Sequence, residues 1–371
     1  MNNWNQFLVA QGARPVPLEG APDSTVPATV SPVADFGQTL TVSQLQEGFV
    51  AAITDQGLIG INGDDAASFL HGQLTNDVEH LDQQQVRLAG YCTPKGRLLA
   101  SFLMWRSATT IYLQLPRAIQ PAIQKRLQMF VMRAKAKLHD ASLDEANQVV
   151  LGLGGLEAGA ALAACLPGLP ALPATPFSKV EHALGTVLRV ADAFGSARYV
   201  WLTSAATARD AWPQLAQKLA QGGDECWRLA EIHAGIPQIT AATQEQFVPQ
   251  MVNFELLGAV NFKKGCYPGQ EIVARSQYLG KLKRRTTLVS IADACVVAGG
   301  ELFAVNDPEQ PCGMVVNAAA NGAGGVDALV EMKLGAIAEG SSDTGAVRYG
   351  SAQGAAVHFL PMPYVLDALD L

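Results

Sequence analysis

The residue of this chain with the clearest chemical potential is Cys266, in the run Lys264-Gly265-Cys266-Tyr267-Pro268-Gly269-Gln270-Glu271. A cysteine reacts through its thiolate, which nearby lysines or the amide groups at a helix start favour. Lys263 and Lys264 precede the cysteine, and the Pro-Gly pair predicts a turn before a helix over 270–279. The pattern predicts a reactive thiol at a loop–helix junction. A small buried cysteine is the structural alternative.

The region around Cys266 is basic, whereas the chain as a whole carries a net charge of -7. Residues 263–285 contain seven Lys and Arg residues and one acid, Glu271, so this stretch carries +6. A local positive field suits a specific anion. Glu271 and Arg275 are also spaced as an i,i+4 pair. A solvated basic strand edge is the alternative explanation for 281–285.

The composition argues against several other classes of protein. The six cysteines form no CxxC pair and have no neighbouring His at a spacing typical of zinc, so we expect reduced thiols and no firm metal site. No segment offers about 18 consecutive apolar residues, which a membrane helix would need. Residues 1–10 lack the basic region of a secretory leader. We therefore expect no membrane contact and a cytoplasmic location.

The elements that must position Cys266 predict a mixed α+β chain. The Pro-rich residues 1–44 predict an arm on the body of the protein, because this composition cannot form a core of its own. A strand over 48–61, a helix over 65–74 and a hairpin around Thr93-Pro94-Lys95-Gly96 are predicted next.

The second half of the chain predicts two further kinds of structure. Strand groups associated with helices between 134 and 222 predict a ferredoxin-like α/β sandwich, and a helix over 225–234 carries Trp227. After Arg285 helical patterns nearly vanish, and short strands predict a small antiparallel barrel or sandwich. The predicted domains are an arm (1–44), a domain with the cysteine motif (45–133 plus 223–282), the ferredoxin-like domain (134–222) and the barrel (283–371).

Several runs of residues resemble the YgfZ family, folate-binding relatives of the aminomethyltransferase (T-protein) of the glycine cleavage system. The family signature K-G-C-[FY]-x-G-Q-E is matched by Lys264, Gly265, Cys266, Tyr267, Gly269, Gln270 and Glu271. The runs GDDAASFLHGQLTNDV (63–78), YCTPKGR (91–97) and LPMPY (360–364) also resemble it, so the resemblance covers roughly residues 50–371. The related mitochondrial iron-sulfur assembly factor shares the cysteine signature.

The resemblance implies a three-domain ring of T-protein type around a folate channel, with tetrahydrofolate or a derivative as cofactor. It implies that Trp227 contacts the pterin, which an indole face suits by stacking; a core anchor for its helix is the alternative. Cys266, with Lys264, is the expected reactive group at the channel mouth. The other expected folate-binding residues are Gly265, Tyr267, Gly269, Gln270, Glu271 and Arg275.

The resemblance further implies an accessory protein for the assembly or repair of iron-sulfur enzymes, including the methylthiotransferases that modify tRNA. The alternative is a folate-dependent one-carbon (aminomethyl) transferase. Against it, Lys95–Ser101 lacks the carboxylate that aminomethyltransferases carry there, and Ile232–Gly235 lacks another acid. A third hypothesis is a weak tRNA contact through the basic residues of 281–285. We expect a monomer.

Overall fold

The computed structural model describes residues 3–15, 32–278, 282–343 and 345–366. Its chain divides into two compact units, Met1–Gly57 with Asp140–Ala230 (the first unit) and Leu58–His139 with Glu231–Leu371 (the second unit). The four-part division of the sequence remains a prediction. In the described part of the chain, no helix is long and apolar enough to span a bilayer.

The elements form a mixed α+β protein, as predicted. The helices are α1 (Asn3–Ala10), α2 (Val42–Glu47), α3 (Ala66–His71), α4 (Gln120–Val131), α5 (Ala158–Ala164), α6 (Ala205–Lys218), α7 (Asp224–His233), α8 (Gln270–Tyr278) and α9 (Leu334–Ser342). The strands are β1 (Arg14–Pro15), β2 (Val33–Asp35), β3 (Phe49–Ile53), β4 (Gln56–Asn62), β5 (Val86–Cys92), β6 (Leu98–Arg106), β7 (Thr110–Pro116), β8 (Lys137–Asp140), β9 (Val149–Gly154), β10 (Ser178–His182), β11 (Gly185–Ala193), β12 (Ser196–Thr203), β13 (Ala220–Gly222), β14 (Arg284–Ile291), β15 (Glu301–Ala304), β16 (Asp307–Ala320), β17 (Val326–Lys333), β18 (Val347–Tyr349) and β19 (Val357–Leu360).

The first unit is built on a six-stranded sheet in the order β10-β11-β12-β9-β3-β13. Alternation along β9 sends Val149, Leu151 and Leu153 to one face, where they join the core. Gly152 lies on the opposite face, where its backbone meets the ring of Trp227. The strand β10 is absent from the sequence prediction.

The N-terminal residues contribute a helix that the sequence pattern does not predict. In α1, Trp4 and Leu8 are buried in the core of the first unit, and the Trp4 ring lies edge-on to Trp212 at 5.7 Å between centroids. The many prolines further along the predicted arm outweigh the helical pattern of the short apolar segment that precedes them, so the sequence predicts no helix there. Residues 16–31 of that arm lie outside the described residues.

The predicted single strand over 48–61 is wrong, because it is two strands in different sheets. β3 pairs with β9 in the first unit, whereas β4 belongs to the five-stranded sheet β5-β6-β7-β4-β8 of the second unit. The break falls at Thr54 and Asp55, whose amides both donate to the carboxylate of Asp224, at 2.6 and 3.1 Å. This partner lies 170 residues from Thr54, so no local pattern encodes the break.

The second unit contains two sheets. The predicted hairpin is confirmed as β5 and β6, which pair antiparallel around the Thr93–Gly96 turn. The C-terminal strands form a curled antiparallel half-barrel in the order β18-β15-β16-β17-β14-β19. An isolated bridge pairs Arg348 with Ala356.

The helix α9, with the sequence LGAIAEGSS, was not predicted, since its two glycines and terminal serines weaken the helical pattern. The ferredoxin-like fold and the C-terminal barrel remain predictions.

Candidate functional site

The segment that follows α3 fixes the chain leading to Cys266. Thr75 donates its hydroxyl to the Ala259 carbonyl at 2.7 Å. The Asn76 amide donates to the carbonyls of Leu88 and Gly258, at 2.7 and 2.8 Å. Both side chains are buried, so these bonds are shielded from water. Asn76 therefore has a structural role, because it links the segment at Gly258 to strand β5.

Lys264 binds the same platform through its ammonium group. Its Nζ donates to the carbonyl oxygens of His71 at 2.5 Å, Leu74 at 3.0 Å and Gly265 at 3.3 Å. It also lies 4.8 Å from the centre of the Tyr267 ring. A cation is stabilised by the free carbonyls at a helix end, here that of α3. Lys264 thus anchors the cysteine loop to the end of α3.

The electrostatic surroundings of Lys264 involve the thiol directly. Burial lowers the pKa of Lys264 to about 8, although the charges of Asp77, Cys266 and Glu79 act in the opposite direction. The net effect of burial on Lys264 exceeds that of these neighbouring charges. The role of Lys264 beside the thiol stays a prediction.

Gly269 and Gly96 allow α8 to start against the hairpin turn. Gly269 has φ +82°, and a Cβ there would lie 2.4 Å from the Thr93 carbonyl oxygen and 2.7 Å from the Gly96 Cα. Gly96 has φ +73°, and its Cβ would lie 2.9 Å from the Cβ of Ile272. No side chain fits at either contact. The close approach of the two backbones accounts for Gly269 without a ligand.

The remaining motif residues differ in exposure. Cys266 and Gly265 are exposed, Gln270 is partly buried, and Tyr267 is buried, which raises the pKa of its phenol. Glu271 and Arg275 form the predicted i,i+4 pair at 2.9 Å on the exposed face of α8. Surface pairs of this kind contribute only about 0.3–0.5 kcal/mol. Arg275 is therefore free to exchange Glu271 for the carboxylate of a ligand.

Two of the basic residues considered for tRNA are used inside the second unit. Arg284 forms a two-pronged pair with Glu331, and Arg285, almost fully buried, pairs with Glu255. Lys283 is exposed, and Lys281 lies outside the described residues. The positive field at this edge is thus weaker than the sequence count suggests, and a tRNA contact stays a prediction.

Trp227 lies in the first unit and is packed as a core residue. It is 5% exposed, and a Cβ on Gly152 would lie 2.2 Å from its Cε3 atom. The guanidinium of Arg198 lies over its ring at 4.8 Å, and the Phe49 ring lies 6.4 Å away. This packing favours the core-anchor interpretation. The pterin contact of Trp227 remains a prediction.

Sequence reasoning missed the buried carboxylate of Asp224 at the start of α7. It accepts from the amide and hydroxyl of Thr54, each at 2.6 Å, and from the Asp55 amide. Burial, together with the charge of Asp55, raises the pKa of Asp224 well above its usual range. Arg228 pairs with both Asp55 and Glu225. The available signal was the acid pair opening a predicted helix, with an arginine one turn later.

We expect Asp224→Asn to remove a pH dependence of stability. A raised folded pKa means that the folded chain holds a proton that the unfolded chain has released, so wild-type stability falls as the pH rises through the folded value. Each unit of separation contributes about 1.4 kcal/mol. Urea unfolding between pH 4 and 9 should show the wild type losing stability relative to the variant. Parallel pH profiles would contradict this assignment.

The strand β6 contains the positions at which the resemblance to aminomethyltransferases implies a carboxylate. Ala100 is fully buried, and the Ser101 hydroxyl accepts from the Ile239 amide at 2.9 Å.

His233, at the end of α7, pairs with Asp327 at 2.7 Å. Within the described residues, no group of three His, Cys, Asp or Glu side chains could hold a metal ion.

The fold matches that of a known transferase at low sequence identity. The chain superposes on the glycine cleavage system aminomethyltransferase T from Bartonella henselae with a TM-score of 0.74, over 97% of this chain and 96% of that one. The two sequences are 16% identical. No family model matches the chain. The chain therefore has the aminomethyltransferase T fold, and its resemblance to the YgfZ family stays a prediction.

Proposed function

We propose that this protein binds tetrahydrofolate and supports the assembly or repair of iron-sulfur enzymes, including those that modify tRNA. The observation that carries the proposal is the exposed thiol of Cys266, held in a fixed loop on an aminomethyltransferase T fold. Four other cysteines are buried, and Cys295 is the second exposed one. A thiol must be accessible to react with a partner or a metal ion.

The fixed loop supports a functional thiol, because a reactive group needs a defined position. Lys264 anchors one side of Cys266 to the end of α3, and Gly269 anchors the other side to the hairpin turn. The sulfur itself is left at the surface between these anchors. An arrangement that served packing alone would place the thiol inside.

The one-carbon transferase is less well supported. The strand position at which the resemblance implies a catalytic carboxylate holds Ala100 and Ser101, both buried, and the Ser101 hydroxyl is engaged with a backbone amide. We therefore propose folate binding without aminomethyl transfer. Formation of methylene-tetrahydrofolate from an aminomethyl donor would overturn this part of the proposal.

The residues predicted to hold folate differ in how accessible they are to a ligand. Arg275 is exposed and exchangeable, which suits the carboxylates of the glutamate tail. The ammonium of Lys264 is already bound to three carbonyl oxygens, and the Trp227 ring is covered by protein. We therefore propose Arg275 as the main charged contact, with Gln270, at the start of the same helix, as a second polar contact.

Isothermal titration of tetrahydrofolate into the purified protein tests the proposal. Arg275→Gln should weaken binding about tenfold, since a charge-assisted hydrogen bond contributes about 1.5 kcal/mol. Trp227→Phe, which keeps a buried aromatic ring, reports whether the indole contributes. Trp105→Phe, a buried ring stacked on Tyr112, is the matched control and should bind like wild type. Absence of binding to the wild type would end the folate proposal.

A further inference from the structure

The helix α4 carries a group of exposed apolar side chains at its C-terminal end. Met129 is 63% exposed, Phe130 47% and, one residue past the helix, Met132 88%. The other exposed large apolar side chains of the described chain lie singly along the sequence, which is normal for a protein surface. Three such side chains within four residues form a patch instead.

The packing of α4 on the second unit does not use the exposed methionine of the helix. Ile123 and Leu127, one turn apart, are buried in the core of this unit. Lys125 and Met129 each lie two residues further along, which places them on the opposite face of the helix. Met129 is therefore available to a partner without any change in the core.

Met132 is turned outwards by an unusual backbone conformation. It ends α4 with φ +45°. Glycine usually occupies a helix end with positive φ, because a side chain strains the backbone there. The exposed Met132 side chain gains little packing within its own chain in return. The turn thus presents a flexible apolar side chain to solvent.

The charges along this part of the chain are all positive. Residues 117–139 contain six Lys and Arg residues and no Asp or Glu, so they carry +6 in a chain of net charge -7. Lys125 and Arg133 are exposed, and no ion pair joins either of them to a carboxylate within the described residues. Lys135 differs, since its ammonium lies 3.6 Å from Asp64. Uncompensated positive charge therefore accompanies the apolar patch.

We propose that the α4 surface, formed by Lys125, Met129, Phe130, Met132 and Arg133, is a docking site for an acidic amphipathic helix of a partner protein. The apolar face of that helix packs on the two methionines and the phenylalanine, and carboxylates beside it pair with Lys125 and Arg133. Protein interfaces are enriched in Met, Phe and Arg, and the unbranched methionine side chain adapts to the shape of a partner. Docking here needs neither the thiol of Cys266 nor folate.

Charge and packing favour this partner over three others. A second copy in a twofold dimer would bring the α4 surface against itself, so that like charges meet. A single-stranded nucleic acid stacks its bases on aromatic rings, and Phe130 is the one ring of this surface. A helix that binds a membrane inserts its apolar face, whereas Ile123 and Leu127 of α4 are buried in the core.

Fluorescence anisotropy with a labelled, stapled helical peptide that carries leucines on one face and glutamates beside them tests the proposal. The wild type should bind it at least about tenfold more tightly than the same peptide with lysine in place of glutamate. Met129→Gln/Met132→Gln should weaken binding at least about tenfold, because the apolar contact is lost. Arg133→Glu should weaken binding about fivefold at low salt and less at high salt, because salt screens exposed charges.

Leu156→Gln and Lys218→Glu are the matched controls. Leu156 is 76% exposed, and Lys218 is exposed at the end of α6. Both residues belong to the first unit, whereas the α4 surface belongs to the second. Each control should bind the acidic peptide within about twofold of wild type. Urea unfolding should show all these variants folded, since every replaced side chain is exposed.

Four results would overturn the assignment. The first is that the wild type binds the acidic peptide no better than the basic one, and the second is wild-type binding by Met129→Gln/Met132→Gln. The third is tighter binding to phosphatidylserine vesicles or to an RNA hairpin than to the acidic peptide, lost in that double variant. The fourth is a dimer in sedimentation velocity that the double variant abolishes. None of these results bears on the thiol, which Cys266→Ala tests separately.

Discussion

Replacing Cys266 with alanine is expected to abolish support of iron-sulfur enzymes while leaving the fold intact. The side chain is exposed, so its loss should change the free energy of unfolding by less than about 0.5 kcal/mol. Its chemistry has no substitute in the loop, because alanine can neither ionise nor bind a metal ion. The measurement is the activity of an iron-sulfur tRNA methylthiotransferase in cells whose only copy of this protein is the variant.

Cys295→Ala is the matched control for this experiment. Cys295 is also exposed but lies in the second unit away from the signature, next to the turn before β15. We expect it to support the methylthiotransferase as well as the wild type does. Wild-type activity with Cys266→Ala, at equal protein levels, would refute the role of the thiol.

Gly269→Ala is expected to destabilise the second unit by about 2–5 kcal/mol. The residue has φ +82°, where a side chain costs about 1–2 kcal/mol. Its Cβ would also meet backbone atoms of Thr93 and Gly96 at 2.4 and 2.7 Å, and overpacking of this kind costs about 1–3 kcal/mol. Backbone cannot rotate away as a side chain can. Urea unfolding measures the loss.

Gly335→Ala provides the comparison on a glycine without such contacts. Gly335 lies in α9, and a Cβ there meets no atom within 4 Å. Alanine in a helix is more favourable than glycine by about 0.5–1 kcal/mol, so this variant should be more stable than wild type. A Gly269→Ala protein as stable as wild type would show that the hairpin and α8 can separate at little cost.

Local patterns predicted the elements that depend on neighbouring residues. The hairpin of β5 and β6 follows from its Pro-Gly turn. The Glu271–Arg275 pair follows from helical spacing alone. Elements whose limits are set by distant groups were missed, such as the break between β3 and β4 at the Asp224 carboxylate.

The sequence indicates the residue types of the candidate site but not the contacts that these residues make. The sequence identifies Lys264 and Cys266 as neighbours, yet only the fold shows that the ammonium is bound to the carbonyls of α3. Trp227 has the residue type of a stacking platform, but Gly152 and Arg198 already pack on its ring. Such contacts join residues far apart in the chain, and a single sequence carries no record of them.

The hydrogen bonds of Thr54 and Asp55 to Asp224 also bear on synthesis of the chain. The ribosome must add 170 residues after Thr54 before its partner exists. At about 5–20 residues per second this takes roughly 10–30 s, during which the turn after β3 lacks the carboxylate that fixes it. The strand β3 likewise has no pairing partner until β9, nearly one hundred residues later, has been synthesised. Unpaired strand edges are prone to aggregation, so this part of the nascent chain is most exposed to it before α7 has been synthesised.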